Sequence, residues 1–216
     1  MLGRGGKRMA KAQTQKSTRK YHHGDLQRAL VDAAVALIGE GELGTLSLRE
    51  VARRAGVTPA APYHHFRDKT ELLAAVAQEG FLALGEHMDA ALVGIPARNA
   101  RRRIAALGRA YLEFARERHA HYRVMFLPDV KLTDPLLGVH AAADATLERL
   151  VLAVQAADPN ADRETTLRRA VLAWATGHGI VTLWNDGLLD KKLRIDSHFL
   201  DAAVEQMVAA ARGGAV

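Results

Sequence analysis

The chain has 216 residues, a formal net charge of +6 and a hydrophobic content of 49%. This length and apolar content support one small and one medium domain with a sizeable core, and they exclude disorder throughout the chain. Cysteine is absent, which excludes a disulfide framework, a thiol redox switch and a thiolate metal site. We find no signal-peptide core and no stretch long and apolar enough to span a bilayer, so we expect a cytoplasmic protein without membrane contacts.

The N-terminal residues are strongly basic. Residues 1–23 contain seven Lys or Arg side chains and no acidic one, which leaves 23 basic against 24 acidic side chains in the rest of the chain. Residues 1–20 lack hydrophobic periodicity, and this predicts a disordered basic arm. Two interpretations stay open: a solubilising tail, or an arm that follows DNA phosphates.

A first folded helix is predicted over residues 25–38, where apolar residues recur at three- and four-residue spacing before Gly39 and Gly41. A second helix should begin after Ser47, which has the spacing of a capping box with Glu50. Gly56 provides a residue that tolerates the left-handed end of that helix.

Two further helix starts follow within a short distance. Thr58 before Pro59 has the pattern of an N-cap with proline at the first helical position. Asp68 and Glu71 form another capping-box pair, which opens a longer helix through Val76. Three punctuated helices in so compact a unit are the layout of a helix-turn-helix DNA reader.

Pro62 disturbs the middle helix of this unit. Its ring removes a backbone hydrogen bond and crowds the Thr58 carbonyl, and it moves Ala61 away from helical angles. The recognition helix is therefore predicted to be short, irregular at its start and rigid.

Residues 21–76, which include the segments YHHGDLQRALVDAAVALIGEGE and LSLREVARRAGVTPAAPYHHFRDKTELL, resemble the DNA-binding domain of TetR-type transcriptional regulators. The resemblance rests on helix spacing, turn residues and the Y-x-H-F-x-x-K ending. It implies an all-α protein with a three-helix DNA-binding domain over residues 21–76, whose last helix continues to about residue 92. A helical ligand-binding and dimerisation domain would occupy residues 93–216.

The residues of the predicted reader divide by the part of DNA that they would contact. Hydroxyl and ammonium groups at helix ends can meet the phosphate backbone, and the candidates are Thr45, Ser47, Tyr63 and Lys69. In the family, the positions that match the threonine, the tyrosine and the lysine commonly make such contacts. Side chains of the second helix would meet base edges; these are Thr58, Ala60, Ala61 and His64. Alternatives stay open for two of them, since Tyr63 could pack partly as core and Thr58 could serve only as a cap. Phe66 is assigned to the core.

A loop is indicated at residues 94–99, and a second helical domain is predicted after it. Helical periodicity returns from Ile104. Asp134 with Pro135 indicates the start of a helix that runs to about Ala157, and further helices are predicted over residues 163–185 and 196–212. His119 and His121 point to different sides of a helix, so we interpret them as partly exposed histidines and not as metal ligands.

Residues 174–179, with the pattern WxxxHG, are similar to a C-terminal domain type found in many TetR-type regulators. Trp174 and His178 lie four residues apart and should touch. Gly177 and Gly179 flank the histidine and suggest close approach by another helix or by a ligand. One helical face is predicted to carry Leu167, Val171, Trp174, His178 and Val181.

The same resemblance implies a homodimer held by the last two long helices, with the apolar stripe of the final helix, including Val204, in the seam. It also implies a pocket for a small, mainly apolar effector. The residues proposed to line the pocket are Tyr111, Phe114, Met125, Trp174 and His178. Plain core is the alternative interpretation, and it is favoured for most of them.

Three function classes follow. The preferred one is a ligand-responsive repressor that binds double-stranded operator DNA of near-palindromic sequence as a homodimer. An enzyme is not expected, because no catalytic constellation, metal site or cofactor-binding motif is visible in the sequence. A non-specific architectural DNA-binding protein that uses the basic arm is the remaining alternative.

Overall fold

The computed structural model describes residues 23–131, 138–189 and 196–213. Helices form the regular structure of these residues and no strand occurs among them, in agreement with the all-α prediction. The predicted basic arm, residues 1–20, lies outside the described residues. The helices are α1 (His23–Gly39), α2 (Leu48–Ala55), α3 (Lys69–Leu92), α4 (Ala100–Glu117), α5 (His119–Met125), α6 (Pro128–Lys131), α7 (Val139–Ala157), α8 (Arg163–Asn185) and α9 (Ser197–Ala211), with a 3₁₀ turn at Ala61–His64.

The predicted starts of α2 and α3 are confirmed by their caps. The Ser47 hydroxyl accepts a hydrogen bond from the Glu50 amide at 3.2 Å, and the Asp68 carboxylate accepts one from the Glu71 amide at 2.9 Å. Gly56 ends α2 in the left-handed region, with φ at 70°, where a residue with a side chain would be strained. A side-chain cap of this kind stabilises a helix by about 1 kcal/mol.

The prediction of an α-helix that begins after Thr58 is wrong. A helix capped by the Thr58 side chain was expected, but the chain forms only the 3₁₀ turn Ala61–His64, which has no side-chain cap. The Thr58 carbonyl instead accepts a hydrogen bond from the Ala61 amide at 3.0 Å. Pro62 explains the difference, because it has no amide to donate and its buried ring prevents the α-helical continuation.

The core is continuous between the two ends of the molecule. Leu37, Val51 and Phe66, all at most 2% exposed, hold α1, α2 and the 3₁₀ turn together, and the assignment of Phe66 to the core is confirmed. The 24 residues of α3 extend over about 36 Å at 1.5 Å per residue. Because α3 packs on α1 as well as on α4, α5 and α7, it connects the reader to the remaining helices.

Glycine allows a close approach between α8, α4 and α9. A Cβ atom at Gly177 would lie 2.7 Å from the Met207 Cε, and one at Gly108 would lie 3.2 Å from the same atom. The close helix contact expected at Gly177 is therefore confirmed. Gly179 differs, because a Cβ there would meet nothing within 4 Å.

The apolar stripe of α9 belongs to the protomer's own core, which corrects the expectation that it forms a seam between two chains. Val204 is only 4% exposed and Met207 only 3%, because α9 packs on α4 and α8. A charge at Val204 would therefore disrupt the fold of the single chain before it reported on any dimer.

The residues predicted to share one face of α8 differ in their exposure. Leu167 and Val171 are 41% and 38% exposed, whereas Val181 is 1% exposed. The reason is that α8 packs on α4, α7 and α9, so the outer part of the stripe faces away from the protomer. His121 was expected to be partly exposed, but it is buried at 5% exposure.

The starts of α4, α8 and α9 lie close to the predicted positions. Asn99 caps α4 after the loop of residues 94–99, Asp162 caps α8, and Asp196 caps α9. The helix start predicted at Asp134 lies outside the described residues. No helix in the described part of the chain has both the length and the hydropathy needed to cross a membrane.

Candidate functional site

The two hydroxyl residues in front of α2 are exposed on one side of the predicted reader. Thr45 Oγ1 donates to the Glu42 carbonyl at 3.2 Å. Ser47 Oγ accepts from the Glu50 amide, and this leaves the hydroxyl hydrogen of Ser47 able to donate to another group. A phosphate oxygen is a suitable acceptor for it.

The 3₁₀ turn presents its polar side chains to solvent. Tyr63 is 54% exposed, which argues against the interpretation of this residue as core. Thr58, Ala60 and His64 are exposed as well, and Ala61 is half-buried. The structure therefore brings the four residues predicted to read bases and the tyrosine predicted to contact phosphate onto one short, mostly exposed segment.

Lys69 has an intramolecular role that sequence reasoning missed. Its Nζ donates to the Leu43 carbonyl at 2.9 Å, so the ammonium connects the start of α3 to the loop between α1 and α2. An ammonium has three donors, and two of them remain for a phosphate. A lysine whose amine satisfies a carbonyl 26 residues away leaves no local sequence signal.

Arginine side chains around α2 are held by carboxylates. Arg53 bonds Glu50 with its Nε 3.0 Å from Oε2, and Arg54 Nη1 lies 2.8 Å from Glu40 Oε1. The hydrogen bond from Arg53 lowers the pKa of Glu50, and the one from Arg54 lowers the pKa of Glu40. These pairs reduce the positive field beside the reader and orient both guanidinium groups.

A second candidate site is a cavity of about 410 Å³ in the larger helical part of the molecule. Five helices contribute to its wall, namely α3, α4, α5, α7 and α8, and its surface is mostly apolar. The lining residues are Phe81, Leu84, Met88, Tyr111, Met125, Phe126, Val139, His140, Ala143, Asp144, Thr146, Leu147, Leu150 and Trp174.

A cluster of hydrogen-bonded side chains adjoins one wall of this cavity. The hydroxyl oxygens of Tyr111 and Tyr122 lie 2.9 and 2.7 Å from His178 Nδ1 and 3.0 Å from each other. Trp174 Nε1 donates to the Tyr111 hydroxyl at 3.3 Å. The predicted contact between Trp174 and His178 is confirmed, with ring centroids 5.6 Å apart.

Burial keeps both phenols of this cluster protonated. Loss of hydration raises the pKa of Tyr111 well above its usual value, and it raises the pKa of Tyr122 to about 12. If the His178 proton is on Nε2, Nδ1 accepts from one tyrosine, and the other tyrosine donates to Nδ1 or to its neighbour's oxygen. This assignment leaves every hydrogen of the two phenols and the indole with an acceptor.

The predicted pocket residues fall into two groups. Tyr111, Met125 and Trp174 line the cavity. Phe114 lies in the core with its ring 6.4 Å from that of His87, and His178 contacts the cavity wall through Tyr111. The contribution of α7 was missed, because its lining residues, mostly apolar with a few polar ones among them, have the pattern of any amphipathic helix. Among the described residues, no cluster of His, Asp or Glu side chains could hold a metal ion.

Comparison with known proteins gives matches at both ends of the chain. Residues 30–76 match the family model described as bacterial regulatory proteins of the tetR family. Residues 104–211, half of the chain, match the model described as the tetracyclin repressor-like C-terminal domain. The chain belongs to the TetR family. It is a helix-turn-helix protein of a family of transcriptional regulators, and the resemblance stated from its sequence is confirmed.

Solved structures of similar fold agree with this assignment. A protein of unknown function from Rhodococcus sp. RHA1 is 34% identical, with a TM-score of 0.71 over 92% of this chain and 100% of the other. The fatty acid degradation regulator FadR from Bacillus halodurans is 20% identical, with a TM-score of 0.67 over 90% and 98% of the two chains. The TetR-like regulator LfrR from Mycobacterium smegmatis, solved with proflavine, is 17% identical, with a TM-score of 0.59 over 88% and 96%. The last two likenesses concern the fold alone.

Proposed function

We propose that this TetR-family protein is a ligand-responsive repressor that binds a near-palindromic operator as a homodimer in the cytoplasm, where bacterial DNA is found. The observation that carries the proposal is the exposed segment Thr58–His64 beside the hydroxyl groups that precede α2. Thr45, Ser47, Tyr63 and Lys69 would hold phosphates and set the register. Thr58, Ala60, Ala61 and His64 would meet base edges, with methyl groups suited to thymine and an imidazole able to donate or accept.

The outer face of α8 is the proposed contact between protomers. Leu172 and Leu183 are 53% and 43% exposed, and they share this helix with the exposed Leu167 and Val171. Gly179 lies there with open space around its Cβ position. Several exposed apolar side chains on one helix are typical of an interface, and a two-fold axis through α8 would bury the same face of both chains.

The cavity is the proposed effector site. The bound proflavine reported for LfrR supports the idea that this fold can enclose a small molecule. An effector would act on DNA binding only if it favours one arrangement of the two readers over another. Met125 and Phe126 line the cavity at the end of α5, so α5 is the element that a ligand would displace towards the reader.

A chain of polar contacts connects α5 to the reader. His121 Nε2 lies 3.3 Å from Glu79 Oε1, and the same carboxylate oxygen lies 3.5 Å from Arg28 Nη2 of α1. A Cβ atom at Gly80 would lie 2.8 Å from Met125 Sδ, so α5 and α3 are in close contact at this point. We propose that movement of α5 reaches α1 through Glu79.

The test of this function is selection of bound sequences from a random pool of duplex DNA, with the wild-type chain and with His64→Ala. We expect one enriched motif for the wild type. The variant should change base preference at one position in each half-site. An absence of any enriched motif, together with steep salt dependence, would support the architectural alternative. An unchanged preference profile for the variant would remove His64 from the base-reading set.

A further inference from the structure

The effector cavity has one carboxylate on its described wall and no ammonium or guanidinium group. Asp144 contributes the carboxylate from α7, beside His140, and both side chains are exposed. Neither Lys nor Arg is among the described residues that line the cavity. A bound carboxylate or phosphate would therefore lose its hydration and meet a like charge without a counterion, which is costly.

The hydrogen-bond donors of the inner wall are already occupied. Trp174 donates to Tyr111, and the Tyr111 hydroxyl lies within hydrogen-bond distance of both Tyr122 and His178. Thr146 Oγ1 donates to the Ala142 carbonyl at 2.8 Å. An anionic ligand group needs donors, and these side chains offer it oxygen lone pairs instead. The wall therefore disfavours an anion for a second, independent reason.

Aromatic rings form much of the remaining surface. Phe81 and Phe126 pack edge to face with centroids 5.6 Å apart, and Tyr111 and Trp174 complete the set of aromatic lining residues. The faces of such rings attract a cation within about 6 Å. A cavity of about 410 Å³ is of the size that encloses a drug-sized molecule.

We propose that the ligand of this cavity is a lipophilic organic cation, such as an amine or a quaternary ammonium compound, with its charge near Asp144 and its apolar part between the aromatic rings. This inference rests on the proposed effector role of the cavity. It adds the chemical class of the effector, and it makes Asp144 the determinant of specificity for charge.

Three probes with unbranched ten-carbon skeletons test the proposal: decyltrimethylammonium, decanoate and decanol. Calorimetric titration of the full-length protein without DNA measures the affinity of each. We expect the ammonium compound to bind roughly tenfold more tightly than decanoate, with decanol between them, as for about 1.4 kcal/mol of charge discrimination. Decanoate binding as tightly as the ammonium compound would overturn the proposal, as would the absence of binding by all three.

The position of the charge is tested by Asp144→Asn with Glu148→Gln as a matched control. Glu148 is exposed on the same helix but does not line the cavity. We expect Asp144→Asn to weaken ammonium binding roughly fivefold and to leave decanol binding unchanged, whereas Glu148→Gln should alter neither. Equal effects of both variants on ammonium binding, or none from Asp144→Asn, would contradict the assignment.

Operator affinity is measured in a separate titration. A cation that binds with the expected preference but does not change operator affinity would support the ligand class and count against ligand responsiveness. Specific operator binding without any cation binding would support the DNA-binding function and overturn the ligand class.

Discussion

At the scale of single residues, the cluster of Tyr111, Tyr122 and His178 has the strongest physical constraints in the molecule. Both tyrosines are buried at 4% exposure, and their hydroxyls both lie within hydrogen-bond distance of His178 Nδ1. A buried phenol that loses its proton places an uncompensated charge in the core. Burial of the cluster therefore favours the neutral phenols, and the folded state should lose stability at alkaline pH.

The direction in which stability changes with pH follows from the pKa of Tyr122. Its pKa rises from 10.0 to about 12 on folding, so the unfolded chain loses this proton first and the stabilisation is lost as pH rises from about 10 to about 12. For Tyr122 alone, the free energy of unfolding should fall by on the order of 2 kcal/mol over this range. Tyr111, whose pKa is also raised by burial, adds a loss of the same sign.

Denaturant titrations at several alkaline pH values measure this loss. Tyr122→Phe should lower stability at pH 8, because the hydrogen bonds of the hydroxyl are lost. It should also flatten the decline above pH 10, because phenylalanine has no proton to lose. The exposed Tyr63 provides a matched control, since Tyr63→Phe should leave the decline unchanged. A decline that is equally steep in the Tyr122 variant would show that another group causes it.

Substitutions at Lys69 and Tyr63 distinguish the loss of a phosphate contact from a loss of stability. Lys69→Ala should weaken binding to all DNA sequences about equally and reduce the salt slope by ~1. Because Lys69 also bonds the Leu43 carbonyl, the variant should lose thermal stability as well. Tyr63→Phe should weaken DNA binding at full stability, because its hydroxyl is exposed. A salt slope unchanged by Lys69→Ala would exclude the phosphate contact.

At the scale of elements, caps and turns could be predicted from sequence and one helix could not. Ser47, Gly56 and Asp68 act through neighbours a few residues away, so their roles are visible locally. The middle element was predicted as an irregular helix, but Pro62 reduces it to a 3₁₀ turn. Local sequence does not decide between these outcomes, because both are compatible with a proline at position 62.

Contacts between residues that are distant along the chain could not be predicted from sequence either. The stripe of α9 has the pattern of any buried helix face, and only the packing of α4 and α8 against it decides that it is internal. The same holds for the cavity wall from α7. Aromatic residues drew attention to Tyr111 and Trp174, whereas Ala143 and Leu147 carry no comparable signal.

The contact between α5, α3 and α1 is expected to transmit the effector signal. Glu79→Gln removes the charge that His121 and Arg28 share. We expect the ligand to bind with unchanged affinity but to change operator affinity less than in the wild type, by roughly 1 kcal/mol of coupling energy. Glu86→Gln, at an exposed site on α3, is the control. Full coupling in the Glu79 variant would place the connection elsewhere.

The basic arm stays a prediction at this scale. Removal of residues 1–20 should lower affinity for operator and random DNA together, because flexible basic side chains mainly meet phosphates. The preferred sequence should be retained. Equal affinities of the full and shortened chains at low salt would leave the arm as a solubilising tail.

At the scale of the whole molecule, the outer face of α8 decides the assembly. Leu172→Glu places a charge in the proposed contact between protomers, where burial without a partner would cost several kcal/mol. Because Leu172 is 53% exposed, the protomer itself should fold. Sedimentation should show a monomer for this variant and a dimer for Val93→Glu, a control at an exposed loop residue. A stable dimer of the Leu172 variant would place the interface elsewhere.

Two linked DNA-binding domains of one kind should bind a single face of DNA, and the spacing of half-sites tests this arrangement. Affinity is measured for duplexes that carry two inverted copies of the selected half-site at increasing separation. We expect maxima when the half-site centres are about 10 base pairs, or a multiple of one helical turn, apart, and a loss of affinity when about 5 base pairs are inserted. An affinity that does not depend on spacing, or equals that of one half-site, would contradict the account.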